Sequence, residues 1–301
     1  MIEIRNVTKR YGDFTAIEDI SFSTPPCSIT GLVGYNGAGK TTLIKIAAGI
    51  YKPENGTALL SGEDVFDNNN ERKRLFYVPD ELYFPASSTL KTMSAYYKGY
   101  YPNFDMKVFN KLTKLFSLDT ATRIKSFSKG MQRQSEIILA LSSMPKYMLL
   151  DETFDGLDPQ KRDLTKKLLL EYMAESSCSL IISSHNLSEL ANLCDRVCLI
   201  NGKRLVINSL TEDLGLNIRK VRIILAKEVQ KDMFSPLSIE KLKTQGTSAL
   251  FVLRGDINEG IKYLNSLNPV SLETFEMTLE EIFLNEMEDD SLEVQGFFDK
   301  E

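Results

Sequence analysis

GYNGAGKTT, residues 34–42, sets three glycines, a lysine and two threonines at spacings that suit the holding of a phosphate chain. The stretch matches the pattern G-x-x-x-x-G-K-[ST], a P-loop. Gly34, Gly37 and Gly39 let backbone N–H groups curl around phosphate oxygens without Cβ clashes. Asn36, Ala38 and Thr42 complete the expected cradle. Lys40 places a cation on the β- and γ-phosphates, and the Thr41 hydroxyl can ligate Mg²⁺. A helix opening near Gly39 adds the positive end of its dipole. Further on, KYMLLDE (146–152) runs from apolar residues into two carboxylates. Asp151 falls at the C-terminal end of an expected strand, where open α/β sheets bind ligands, and can hold Mg²⁺ directly or through water. Glu152 can orient or deprotonate water beside a terminal phosphate. In SFSKGMQRQSEIILAL (126–141), Ser128 stands at a helix start with Gly130 in the first turn, a second anion site or a plain helix cap. His185, the only histidine, follows the apolar run SLIISS, where it could simply close a strand end.

These groups need a scaffold that brings distant segments together. Residues 1–10, SITGLVG, GTALLSG, RLFYVPD, KYMLLDE and CSLIISS read as strands. KTTLIKIAAGI, amphipathic stretches near 89–101 and 105–117, Ser128 to about Ser143, and PQKRDLTKKLLLEYMAES read as helices. Apolar strands alternating with helices predict an α/β fold with a mostly parallel sheet covered on both faces. VCLINGKRLVI (197–207) predicts a hairpin with Asn201-Gly202 at its turn. After about residue 208 the alternation breaks. VRIILA, ALFVLRG, helical INEGIKYLNSL, PVSLETFEM and TLEEIFLNEM form a small α+β appendage over 209–289, with an acidic tail at 290–301. AYYKGYYPNF (95–104) concentrates aromatic residues that serve either an interface or internal packing.

The 301 residues are 43% hydrophobic and 26% charged, ordinary for a chain that builds a real core. A net charge of −5 gives no bulk attraction to nucleic acid, and no such partner is expected. No window approaches the ~18 apolar residues of a membrane span, and MIEIRNVTKRYG has no signal core. A cytoplasmic chain is expected, so any membrane role needs a partner that spans. Cys27, Cys178, Cys194 and Cys198 form no paired frame and read as thiols on core strands.

The ordered set of Tyr11 in KRYGDFTAI, GYNGAGKTT, FSKGM, MLLDE, FDGLD and SSH resembles the nucleotide-binding subunit of an ABC transporter, over roughly residues 1–208. The resemblance implies a P-loop NTPase fold of ABC type, with N-terminal antiparallel strands and a helical insert at about 82–127. It implies an ATPase using ATP and Mg²⁺. Tyr11 would stack on adenine. Ser128 and Gly130 would bind the γ-phosphate of ATP held by a second subunit, in a homodimer or heterodimer. Asp158 would cross the seam, and His185 would contact the γ-phosphate and the attacking water. Two positions depart from the family pattern. FSKGM stands where the family reads L-S-G-G-Q, and Asp80 stands where it has a glutamine. A carboxylate there can still ligate Mg²⁺ but cannot donate as an amide does. The implied setting is the inner face of the membrane, beside an integral-membrane subunit, with export favoured over import. The alternative is a soluble ABC-type ATPase with a role other than transport.

Overall fold

The computed structural model describes residues 1–190 and 192–287. The chain divides into two units, Met1–Asn208 and Ser209–Glu301. The acidic tail at 290–301 lies outside the described residues.

The first unit opens on β1 (Ile2–Tyr11) and β2 (Phe14–Thr24), then β3 (Ile29–Val33), α1 (Lys40–Ala47), β4 (Asn55–Leu60) and β5 (Glu63–Asp64). There follow α2 (Asn69–Arg72), β6 (Leu75–Val78), α3 (Leu90–Tyr100), α4 (Met106–Leu115) and α5 (Lys129–Ser142). The unit closes with β7 (Tyr147–Leu150), α6 (Pro159–Ser176), β8 (Ser179–Ser184), α7 (Leu187–Leu190), β9 (Arg196–Asn201) and β10 (Arg204–Leu210), the last crossing into the second unit. β2, β1, β4 and β5 form a four-stranded antiparallel sheet. The other sheet has the order β10-β9-β3-β8-β7-β6, parallel from β9 to β6. Every residue of β3, β7 and β8 is buried, as the apolar runs predicted for strands covered on both faces. Ile4, Ile20, Leu32, Ile44, Leu149 and Ile181 knit both sheets and α1 into one core.

Parallel register does the positioning. Val33 of β3 lies opposite Ser184 of β8, Leu150 of β7 opposite Ile182, and Val78 of β6 opposite Leu150. The segments leaving these four adjacent strands therefore emerge along one edge. They carry the P-loop, His185, the Asp151–Glu152 pair and Asp80.

Two expectations need correction. The hairpin turns on Gly202 (φ 54°) and Lys203 (φ 74°), because β9 extends through Asn201. Only Cys198 lies within a strand; Cys178, Cys194 and Cys198 are buried, while Cys27 is exposed in the turn before β3.

The second unit contains β11 (Ile218–Ile224), β12 (Ser238–Gln245), β13 (Ser248–Arg254), α8 (Ile257–Ser266), β14 (Ser271–Phe275) and α9 (Leu279–Met287). The strands make an antiparallel sheet of order β12-β13-β11-β14 around its own core of Val221, Ile223, Phe234, Phe251, Leu253 and Leu264. The sequence pattern misses β12. Its residues SIEKLKTQ are polar and mostly exposed, as an edge strand allows, and its pairing slips between Glu240 and Lys243.

Candidate functional site

The P-loop is built where a side chain would not fit. A Cβ on Gly34 would come 2.7 Å from the Ile200 carbonyl oxygen. Gly39 has φ 102°, and a Cβ there would come 2.9 Å from the Ala16 carbonyl oxygen. Only glycine accepts both the left-handed angle and the crowding. Gly39 caps α1 with no side-chain hydrogen bond, so the first-turn amides have no side-chain cap. The Lys40 ammonium is buried at this mouth, donating to the Gly34 carbonyl at 2.7 Å.

The carboxylates meet that lysine. Glu152 takes φ 44°, a left-handed conformation that costs a non-glycine residue energy. Its Oε1 lies 3.3 Å from Lys40 Nζ. Its Oε2 accepts from the His185 amide at 3.3 Å and meets His185 Nδ1 at 3.0 Å. Glu152 is buried, while the His185 ring is half exposed. Asp151 is fully buried, and its Oδ1 accepts from Ser183 Oγ at 2.6 Å. Ser183 Oγ in turn accepts from the Glu152 amide at 3.0 Å. Burial pushes the Asp151 carboxyl up, hydrogen bonds from Ser183 and Thr41 pull it down, and the charges of Asp80 and Glu152 add to the rise. Its Oδ2 is buried with no hydrogen-bond partner among the described residues. A buried carboxylate oxygen left unpaired suits a hard cation such as Mg²⁺.

The remaining residues divide. Asp80 is half exposed, its Oδ1 3.6 Å from Arg133. Tyr11 is 45% exposed beside the cradle, its hydroxyl 3.5 Å from Thr42 Oγ1 and its ring edge-on to Tyr51. Ser128 and Asp158 are seen as helix caps: Ser128 Oγ accepts from the Met131 amide at 3.2 Å and Asp158 Oδ1 from the Lys161 amide at 2.9 Å. A Cβ on Gly130 would come 2.8 Å from the Gly156 carbonyl oxygen, so the α5 start packs on the FDGLD loop. Sequence reasoning missed Ser183, Arg133 and Tyr77. A serine inside the apolar run SLIISS was a readable signal for the first. Tyr77 was not readable; its buried hydroxyl has no partner among the described residues and lies near Asp151 and Asp80.

Comparison with known proteins shows the family. The ABC transporter family model matches residues 17–155. The ABC transporter ATP-binding protein YtrB of Bacillus subtilis is 26% identical over 288 residues, 94% of this chain and 97% of that one. The Nod factor export ATP-binding protein I of Burkholderia orbicola is 35% identical over 210 residues, 67% of this chain and 68% of that one. The Fe(3+) ions import ATP-binding protein FbpC of Yersinia pestis is 29% identical over 212 residues, 68% of this chain and 60% of that one. The solved ATP-binding subunit of an ABC transporter superposes with TM-score 0.67 at 24% identity, over 71% of this chain and 91% of that one, which shows the shared fold. With a P-loop, a buried aspartate and a lysine-bound glutamate on one sheet edge, and relatives of this kind, the chain belongs to the ATP-binding subunits of ABC transporters, a family of ATPases.

Proposed function

We propose that this chain hydrolyses ATP at the cytoplasmic face of a membrane and powers export through a separate membrane-spanning subunit. The observation that carries the chemistry is the contact of Glu152 with both Lys40 and His185. In this reading the P-loop amides and Lys40 hold the phosphates, and Glu152 orients the attacking water and draws off its proton. His185, which meets Glu152 through Nδ1, contacts the γ-phosphate and the attacking water. Mg²⁺, held by Thr41 and Asp151 with Asp80 beside them, would neutralise phosphate charge. Tyr11 stacks on the adenine from its exposed place beside Thr42. Ser128, Gly130 and Asp158 face the nucleotide of a second cassette; the exposure of Ser128 supports that role. The second cassette is a copy of this chain or a close relative.

Export is favoured because the relative at 35% identity is named for export and the one at 29% for import. The insert supplies the membrane partner's contact. Tyr97 and Tyr101 pack on Phe76 at 5.3 and 5.4 Å, while Tyr96 and Tyr100 remain exposed on that base. Tagged chain purified from its own cells should bring an integral membrane protein with it, and the double change Tyr96→Glu with Tyr100→Glu should lose it. Recovery of the wild-type chain alone, from the soluble fraction, contradicts the transport role.

A further inference from the structure

Arg133 sits in the second turn of α5 and is buried, a costly place for a permanent cation. Its guanidinium spends donors on backbone. Nη1 donates to the Pro79 carbonyl at 2.6 Å and Nη2 to the Asp80 carbonyl at 2.7 Å. Nη2 also stands 3.6 Å from Asp80 Oδ1. Burial pulls the guanidinium pKa down, while the charges of Asp80, Glu136, Asp155 and Asp151 oppose that fall. Both carbonyls belong to the segment leaving β6, which runs beside the start of the Asp151 segment: Val78 lies opposite Leu150, and the Val78 carbonyl accepts from the Asp151 amide at 2.9 Å. One turn earlier, Gly130 packs on the Gly156 carbonyl. The start of α5 is thus gripped by the segments following β6 and β7, around a cavity of about 580 Å³ lined by Asp80, Lys129, Gln132, Arg133 and Asp155.

We propose that Arg133 is a positioning residue for the metal side of the nucleotide site: its fork fixes the Pro79–Asp80 backbone and thereby holds the Asp80 carboxylate beside Asp151. This rests on reading Asp80 and Asp151 as metal-side groups. A guanidinium presents donors from separate nitrogens in a rigid planar fork, which fixes two neighbouring carbonyls at set positions, whereas an ammonium is a single point of charge on a flexible stem. An arginine needed only for packing could instead be exchanged for an apolar chain with little loss or even a gain in stability.

The test uses the full chain carrying Glu152→Gln, with ATP present. Mn²⁺ is titrated in, and free Mn²⁺ is read by electron paramagnetic resonance, for Arg133, Arg133→Lys and Arg133→Met. Arg133→Met should weaken Mn²⁺ binding by about tenfold or more, the usual effect of losing a partner that orients a ligand. Arg133→Lys keeps the charge without the fork and should weaken it several-fold, with a thermal midpoint near that of the parent. Equal Mn²⁺ affinity in all three overturns the proposal. If Arg133→Met fails to fold, Arg133→Lys decides by the same criterion. Absence of Mn²⁺ binding to the parent overturns the metal-side reading and the proposal with it. The readout is metal binding, so absent ATP turnover in the wild-type chain would contradict the proposed function while leaving the role of Arg133 to be decided here.

Discussion

Glu152 is the residue on which the proposed chemistry turns. Its left-handed backbone aims one carboxylate oxygen at Lys40 and the other at His185. Strain of this kind persists only where the surroundings over-determine it. Glu152→Gln should therefore leave ATP binding in place, because the cradle is built by Gly34, Gly39 and Lys40. Turnover should fall by about 10²–10⁴-fold, the range for losing a general base. Steady-state hydrolysis with binding by fluorescent nucleotide checks both, and unchanged turnover removes Glu152 from the role. Lys40, Asp151, Glu152 and His185 were legible from the chain because each ends an apolar run or sits in a glycine-rich pattern. Arg133 and Tyr77 were not, since what marks them is burial and the partners met or missed across the fold.

At the level of elements, α5 carries more than its cap. Glu136 is fully enclosed on it, and burial pushes its carboxyl up to about 7 from 4.5, with Arg133 pulling the other way. Tyr97 and Tyr101 lie near enough for Glu136 to raise their pKa values further, after burial. Between pH 4.5 and about 7 the unfolded chain releases this proton while the folded chain keeps it. Stability should then fall as pH rises through that window and level off above it, by at most about 3 kcal/mol. Glu136→Gln should flatten that part of the profile and raise the thermal midpoint at pH 8 relative to wild type. Melting curves from pH 5 to 8 check it, and parallel profiles for the two proteins refute it. The main helices were readable from caps: Asp158 followed by Pro159 starts α6, and Ser128 starts α5. The four-residue α2 and α7 carry too few periods to show a pattern. The hairpin turn moved by one residue because NG-type spacing marks a turn better than it marks which residues take positive φ.

For the molecule as a whole, the parallel sheet was legible because strands buried on both faces read as apolar runs, and its order aligns four site segments on one edge. The second unit was legible as α+β, yet its polar edge strand β12 was not, because nothing in SIEKLKTQ separates a solvated strand from a loop. Among the described residues no helix is long and apolar enough to cross a membrane. The central claim is that a working site needs Lys40 from one cassette and Ser128 from another. The most direct measurement is ATP turnover per protomer against total protein concentration, for wild type and Ser128→Arg. The account predicts that wild-type turnover per protomer climbs with concentration to a plateau, and that Ser128→Arg stays near zero while still binding ATP. Constant turnover per protomer down to concentrations at which the protein is monomeric, matched by Ser128→Arg, would contradict it.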